Sequence, residues 1–111
     1  VARIFIFLIV ISYPLLSKAG CTSTGCTSTI KRIYLTGRSP AQVLIQPSEN
    51  FNGIVDCTPV ETKYLTLHAS HPLFKEIYST ILASHIANEE VWLRVASGSN
   101  DCRIVYLVKD K

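Results

Sequence analysis

One amphipathic segment in a chain otherwise patterned for strands most constrains what this sequence can fold into. Between residues 72 and about 88, Leu73, Phe74, Ile77, Ile81, Leu82, His85 and Ile86 recur at three- and four-residue spacing. That is the stripe of a helix with one buried face. Pro72 suits the first helical position, where its missing N–H is not needed, and His71 stands at the N-cap position. Ser79, Ala83 and Ala87 form a second stripe of small side chains. It reads either as an exposed face of good helix formers or as a surface that another helix approaches.

Before the helix, residues 30–36, 41–46 and 64–69 read as strands, and after it residues 91–95 and 103–108. The third strand alternates cleanly, with Leu65, Leu67 and Ala69 inward and Tyr64, Thr66 and His68 outward. The fourth sets Val91, Leu93 and Val95 inward and Trp92 and Arg94 outward. The fifth is apolar on both faces, which predicts burial on both sides. Residues 48–60 make a long loop turning at Asn52-Gly53, and the Cys-Thr-Ser-Thr repeat at 21–29 predicts a flexible lead-in. Strand-strand-strand-helix-strand-strand is the order of a five-stranded Greek-key barrel of the OB type. The fold class expected is therefore a β-barrel with one helix, in a single domain over 20–111.

Residues 1–19 read as a secretory signal peptide. Arg3 opens it, residues 4–16 are an uncharged and mostly apolar run, and Ser17-Lys18-Ala19 offers small residues for cleavage. That run of about 13 residues is short for a membrane span, which needs roughly 20. A second reading makes Cys21 a lipidation site, because Lys18-Ala19-Gly20-Cys21 resembles a lipoprotein box. Without Arg3 and Lys18 the chain keeps nine Lys and Arg against eight Asp and Glu. A near-neutral surface with no basic run argues against nucleic acid as a partner.

Four cysteines in a short exported chain read as a disulfide set with three connectivities. Alternating strand directions put Cys57 and Cys102 at one pole, which favours Cys57–Cys102 with Cys21–Cys26; a Cys26–Cys57 link stays open. The expected localisation is secreted or periplasmic.

Catalytic motifs are missing: there is no G-x-S-x-G, no phosphate loop and no H-E-x-x-H. His68 and His71 lack a third ligand nearby, so neither a metal nor a cofactor is expected, and the chain reads as a binder with no enzymatic activity. His85, on the apolar helix face, reads as a hydrogen-bonded core histidine. The outward candidates are Tyr34, Tyr64, Thr66, Trp92 and Arg94, together with Gln42. Aromatic rings mixed with hydrogen-bonding groups suit a protein interface, a glycan, or packing beneath the 48–60 loop.

The runs Ile30-Lys-Arg-Ile-Tyr-Leu-Thr-Gly37, Pro72-Leu-Phe-Lys-Glu-Ile77 and Glu90-Val-Trp-Leu-Arg-Val95 carry a resemblance. In them the chain resembles the binding subunit of bacterial one-A, five-B toxins of the subtilase-cytotoxin type, and its stand-alone secreted relatives. The resemblance implies an OB-fold, a homo-pentameric ring and recognition of cell-surface glycans. The other expectation is a monomeric secreted or periplasmic protein that binds or inhibits a partner protein.

Overall fold

The computed structural model describes residues 19–37 and 39–110. Apart from Ala19, the expected leader lies outside them. Seven strands and one helix follow in order: β1 Gly20–Thr22, β2 Gly25–Ser28, β3 Ile30–Thr36, β4 Gln42–Pro47, β5 Leu65–His68, α1 Phe74–Ala87, β6 Val91–Val95 and β7 Ile104–Val108. They form a four-stranded sheet in the order β1-β2-β6-β7 and a three-stranded sheet β3-β4-β5, every ladder antiparallel.

The expected five-stranded closed barrel is therefore corrected to two sheets whose ladders do not run continuously around the molecule. On one side the chain passes from β2 into β3 through Thr29, with a bulge between Ile30 and Arg32. On the other side the sheets meet at one parallel bridge, Thr66 with Arg103, where the Thr66 N–H donates to the Cys102 carbonyl at 3.1 Å. The seam is that narrow because β5 is only four residues long. Just ahead of it, Glu61 and Thr62 take left-handed backbone angles (φ 51° and 63°) and turn the chain.

The inner faces of both sheets close on α1. Val43, Ile45, Leu65 and Leu67 meet Val91, Leu93, Val95 and Ile104, with Ile77 and Ile81 of the helix and Phe51 of the long loop between them. Each such side chain contributes about 1.5–3 kcal/mol of transfer free energy.

Both disulfides take the favoured pairing, Cys21–Cys26 and Cys57–Cys102. The Cys21 sulfur is thus held by Cys26, which is incompatible with a thioether lipid on it. The repeat at 21–29 is not a loose lead-in: Cys21 and Cys26 face each other across the β1–β2 hairpin. β2 also pairs with β6, burying Gly25, Cys26 and Ser28.

The helix starts two residues after Pro72. The N-cap is Leu73, not the expected His71; His71 holds the segment ahead of the helix, its Nδ1 accepting the Leu73 N–H (3.0 Å) while its Nε2 meets the Val105 carbonyl (2.6 Å). The buried face is Ile77, Ile81 and Ser84, with Phe74 and Tyr78 packed beside it. Leu73 and Ile86, expected inside, are exposed. Leu73 precedes the helix, and at about 100° per residue Ile86 points about 140° away from Ile81. His85 is half-buried, its Nδ1 2.8 Å from the Ile30 carbonyl. Asn88 ends the helix in the left-handed region (φ 54°). The expected double burial of the last strand is also corrected: Ile104 is buried, but Val105, Tyr106 and Val108 are exposed, because β7 is an edge strand.

Candidate functional site

The five candidate residues do not converge; the two sheets divide them. Tyr34 and Tyr64 lie together beside the three-stranded sheet, their ring centres 5.8 Å apart at 55°. Arg32 Nη1 donates to the Tyr64 hydroxyl at 3.1 Å, and Lys63 Nζ sits 5.7 Å from the Tyr64 ring centre, within cation–π range. The hydrogen bond to Tyr64 pushes the Arg32 guanidinium further toward its protonated form. Tyr64 is nevertheless only 1% exposed and Thr66 is fully buried. Their expected role as outward contacts is corrected on that ground. Period-two alternation puts them on the second face of β5, and that face is covered. By register Thr66 shares that face with Leu44 and Tyr34, and its strand edge is closed by the bridge to Arg103, with His68 Nε2 bound to Asp101 Oδ2 at 2.6 Å nearby.

The Thr66 hydroxyl has no hydrogen-bond partner in the protein. A buried hydroxyl without a partner costs about 1–3 kcal/mol, so Thr66→Val is expected to keep the fold and raise stability by roughly 1 kcal/mol. A urea midpoint below that of the wild type would show that the hydroxyl is satisfied after all.

Of this group Tyr34 stays accessible. It borders a recess of about 60 Å³ with Thr36, Gln42, Leu44, Val60 and Glu61. A shallower cleft of about 240 Å³ lies between Lys31, Glu49, Phe51 and Lys63. Both are below the 300–1,000 Å³ usual for enclosed ligand pockets.

Trp92 and Arg94 occupy the outer face of the four-stranded sheet. Directly paired residues share a face, so the register places Thr27 and Val108 beside Trp92, and Gly25 and Tyr106 beside Arg94. The Trp92 ring leans over Gly25: a Cβ built on that glycine would lie 3.0 Å from Trp92 Cη2. The bare glycine thus leaves room for the indole to reach from β6 toward β2, with Thr27 and the half-exposed Tyr106 on the same outer face. Tyr106 and Gly25 are the residues that sequence reasoning missed. The signal for Tyr106 was its register opposite Arg94, which needs the β6–β7 pairing to be known.

Among the described residues no group of three His, Cys, Asp or Glu side chains is placed to hold a metal ion. No helix among them is long and apolar enough to cross a membrane. No protein-family model, curated protein or solved structure matches this chain significantly.

Proposed function

We propose that this chain is an exported, non-catalytic binding module of OB type whose ligand face is the outer side of β1-β2-β6-β7. Two features support the OB reading. The β2–β3 segment serves both sheets as one bent strand, and β5 and β7 meet in parallel at Thr66 and Arg103. Two disulfides support export, since such bonds persist in oxidising compartments.

The observation that carries the binding reading is Trp92 laid over Gly25, flanked by Arg94, Thr27 and Tyr106. An indole offers a broad apolar surface with a polar edge. The C–H face of a pyranose stacks on such a ring, while the Arg94 guanidinium donates and the Thr27 hydroxyl donates or accepts at sugar hydroxyls. A saccharide is thus the ligand class this face fits best.

Trp92 is the chain's one tryptophan, so its emission reports on this face alone. Titration with the sugars that bind on a glycan array is expected to shift or quench that emission, and Trp92→Ala is expected to abolish array binding while the far-ultraviolet circular dichroism stays unchanged. A blank array with emission unmoved by any sugar would sink the reading.

A second reading, a protein partner on the same sheet, is favoured by the exposed Val105, Tyr106 and Val108 of β7. Capture of a partner from the cell envelope by the wild type, and its loss with Tyr106→Ala, would select it.

A further inference from the structure

The free edge of β3 has a self-complementary register. In an antiparallel ladder, residues alternate between those whose backbone groups bond the neighbour and those whose groups face away. The Ala69 N–H donates to Ala41 at 3.0 Å, and the Thr66 N–H turns from β4 to Cys102. Leu44, opposite Thr66, therefore bonds the other way, to Tyr34. It follows that Ile33 and Leu35 direct their N–H and C=O groups to the open side. Among the described residues, the bond made to that edge is His85 with the Ile30 carbonyl, at the start of the strand. Further along, Leu35 is 66% exposed, although it shares a face with the core residues Val43 and Leu67. Tyr34, on the opposite face, is 48% exposed.

We infer that this edge pairs with the same edge of a second copy of the chain, antiparallel, about a two-fold axis through Tyr34. An isologous contact requires one patch to complement itself, and the side chains select the register. With the axis at Tyr34, Ile33 and Leu35 of one copy meet Leu35 and Ile33 of the other as two hydrogen-bonded pairs. The exposed leucine is thereby covered by an apolar neighbour. Arg32 falls opposite Thr36 and Lys31 opposite Gly37, so no cation faces a cation. An axis at Arg32 would set guanidinium against guanidinium, and an axis at Ile33 would set Lys31 against Leu35. An axis at Leu35 would put Ile33 against Gly37, past the end of β3, and pair only residues 34–36 of the strand. Cross-strand like charges are unfavourable and apolar pairs favourable, which leaves Tyr34. The two three-stranded sheets then join into one of six strands, and both edges are removed from solvent. This contact is independent of the proposed ligand face, which lies on the other sheet.

The test is the mass of the purified, oxidised chain at micromolar concentration by native mass spectrometry and sedimentation velocity. A dimer is expected, with Leu35→Lys weakening it roughly tenfold or more, as expected for a lost interface anchor. Leu35 is on the surface, so this variant keeps the fold, and the Trp92 emission should be unchanged. Tyr34→Cys places a thiol on the axis, where non-bonded antiparallel pairs bring Cα atoms to about 4.5 Å, close enough for a disulfide. Mild oxidation should link that variant into a covalent dimer and leave Lys31→Cys, which lies off the axis, unlinked. A monomer at every concentration, a ring of five indifferent to Leu35→Lys, or equal cross-linking of the two cysteine variants would each overturn the inference.

Discussion

Removing the Cys57–Cys102 bridge as Cys57→Ala/Cys102→Ala is expected to cost about 4 kcal/mol, about twice the cost of removing Cys21–Cys26. The first bridge closes a loop with a sequence separation of 45 residues, the second one of only 5. In the chain-entropy account the stabilisation grows with the logarithm of loop length, so the short bridge is worth about 2 kcal/mol. The structure adds a local reason for the difference. Cys102 is fully buried and presents its carbonyl to the Thr66 N–H, at the seam where the sheets meet by a single bridge. His68 with Asp101 secures the same corner. Cys21–Cys26, by contrast, braces a hairpin that β6 already holds through β2. Urea unfolding of the two double variants gives the ratio directly. Amide exchange at Thr66 should quicken only in the Cys57/Cys102 variant. Equal losses, or an unchanged Thr66 amide, would show that the seam does not depend on that bridge.

The seam also explains what was legible in the sequence. Alternation in 64–69 and 91–95 identifies the inward residues Leu65, Leu67, Ala69, Val91, Leu93 and Val95, and all are buried except Ala69, which lies past the end of β5 and is exposed. Helix position follows from an equally local signal, and the disulfide pairing from the alternation of strand directions. Alternation tells one face of a strand from the other, but it does not say what covers the second face. Tyr64 and Thr66 sit on that second face and are buried, and a segment some 35 residues later in the chain pairs with Thr66 at its edge. The reverse holds for β7. Val105, Tyr106 and Val108 read as doubly buried because they are apolar, yet an edge strand leaves them in solvent. In the Cys-Thr-Ser-Thr repeat, composition points to a loop, and long-range pairing with β6 makes it a strand instead. Non-local contacts decide each of these cases, and short-range patterns carry no record of them. The candidate site was accordingly legible in half. Trp92 and Arg94 lie on the outer sheet face as alternation requires, while the glycine and tyrosine that complete the face belong to neighbouring strands.

Gly25 is the position where one added carbon is expected to do the most damage. A Cβ there would lie 2.1 Å from the Leu93 carbonyl oxygen and 3.0 Å from both the Leu93 carbonyl carbon and Trp92 Cη2. The first two are backbone atoms in the strand that β2 pairs with, so no side-chain rotation relieves the clash, and β2 and β6 must move apart. Overpacking of this kind costs about 1–3 kcal/mol, occasionally more. Gly25→Ala is placed at or above the top of that range, since the contact it makes is with a hydrogen-bonded ladder. Space is the cause, because Gly25 carries no positive φ. Gly37→Ala is the control: nothing lies within 4 Å of its Cβ position, and its effect should stay within about 0.5 kcal/mol. The variant also displaces the indole, so thermal unfolding followed by circular dichroism should be accompanied by a shift in tryptophan emission in the folded state at low temperature. If Gly25→Ala melts with Gly37→Ala and leaves the emission untouched, the close approach of β2 to β6 is wrong. The seating of Trp92 against Gly25 that the binding reading needs would then fall with it.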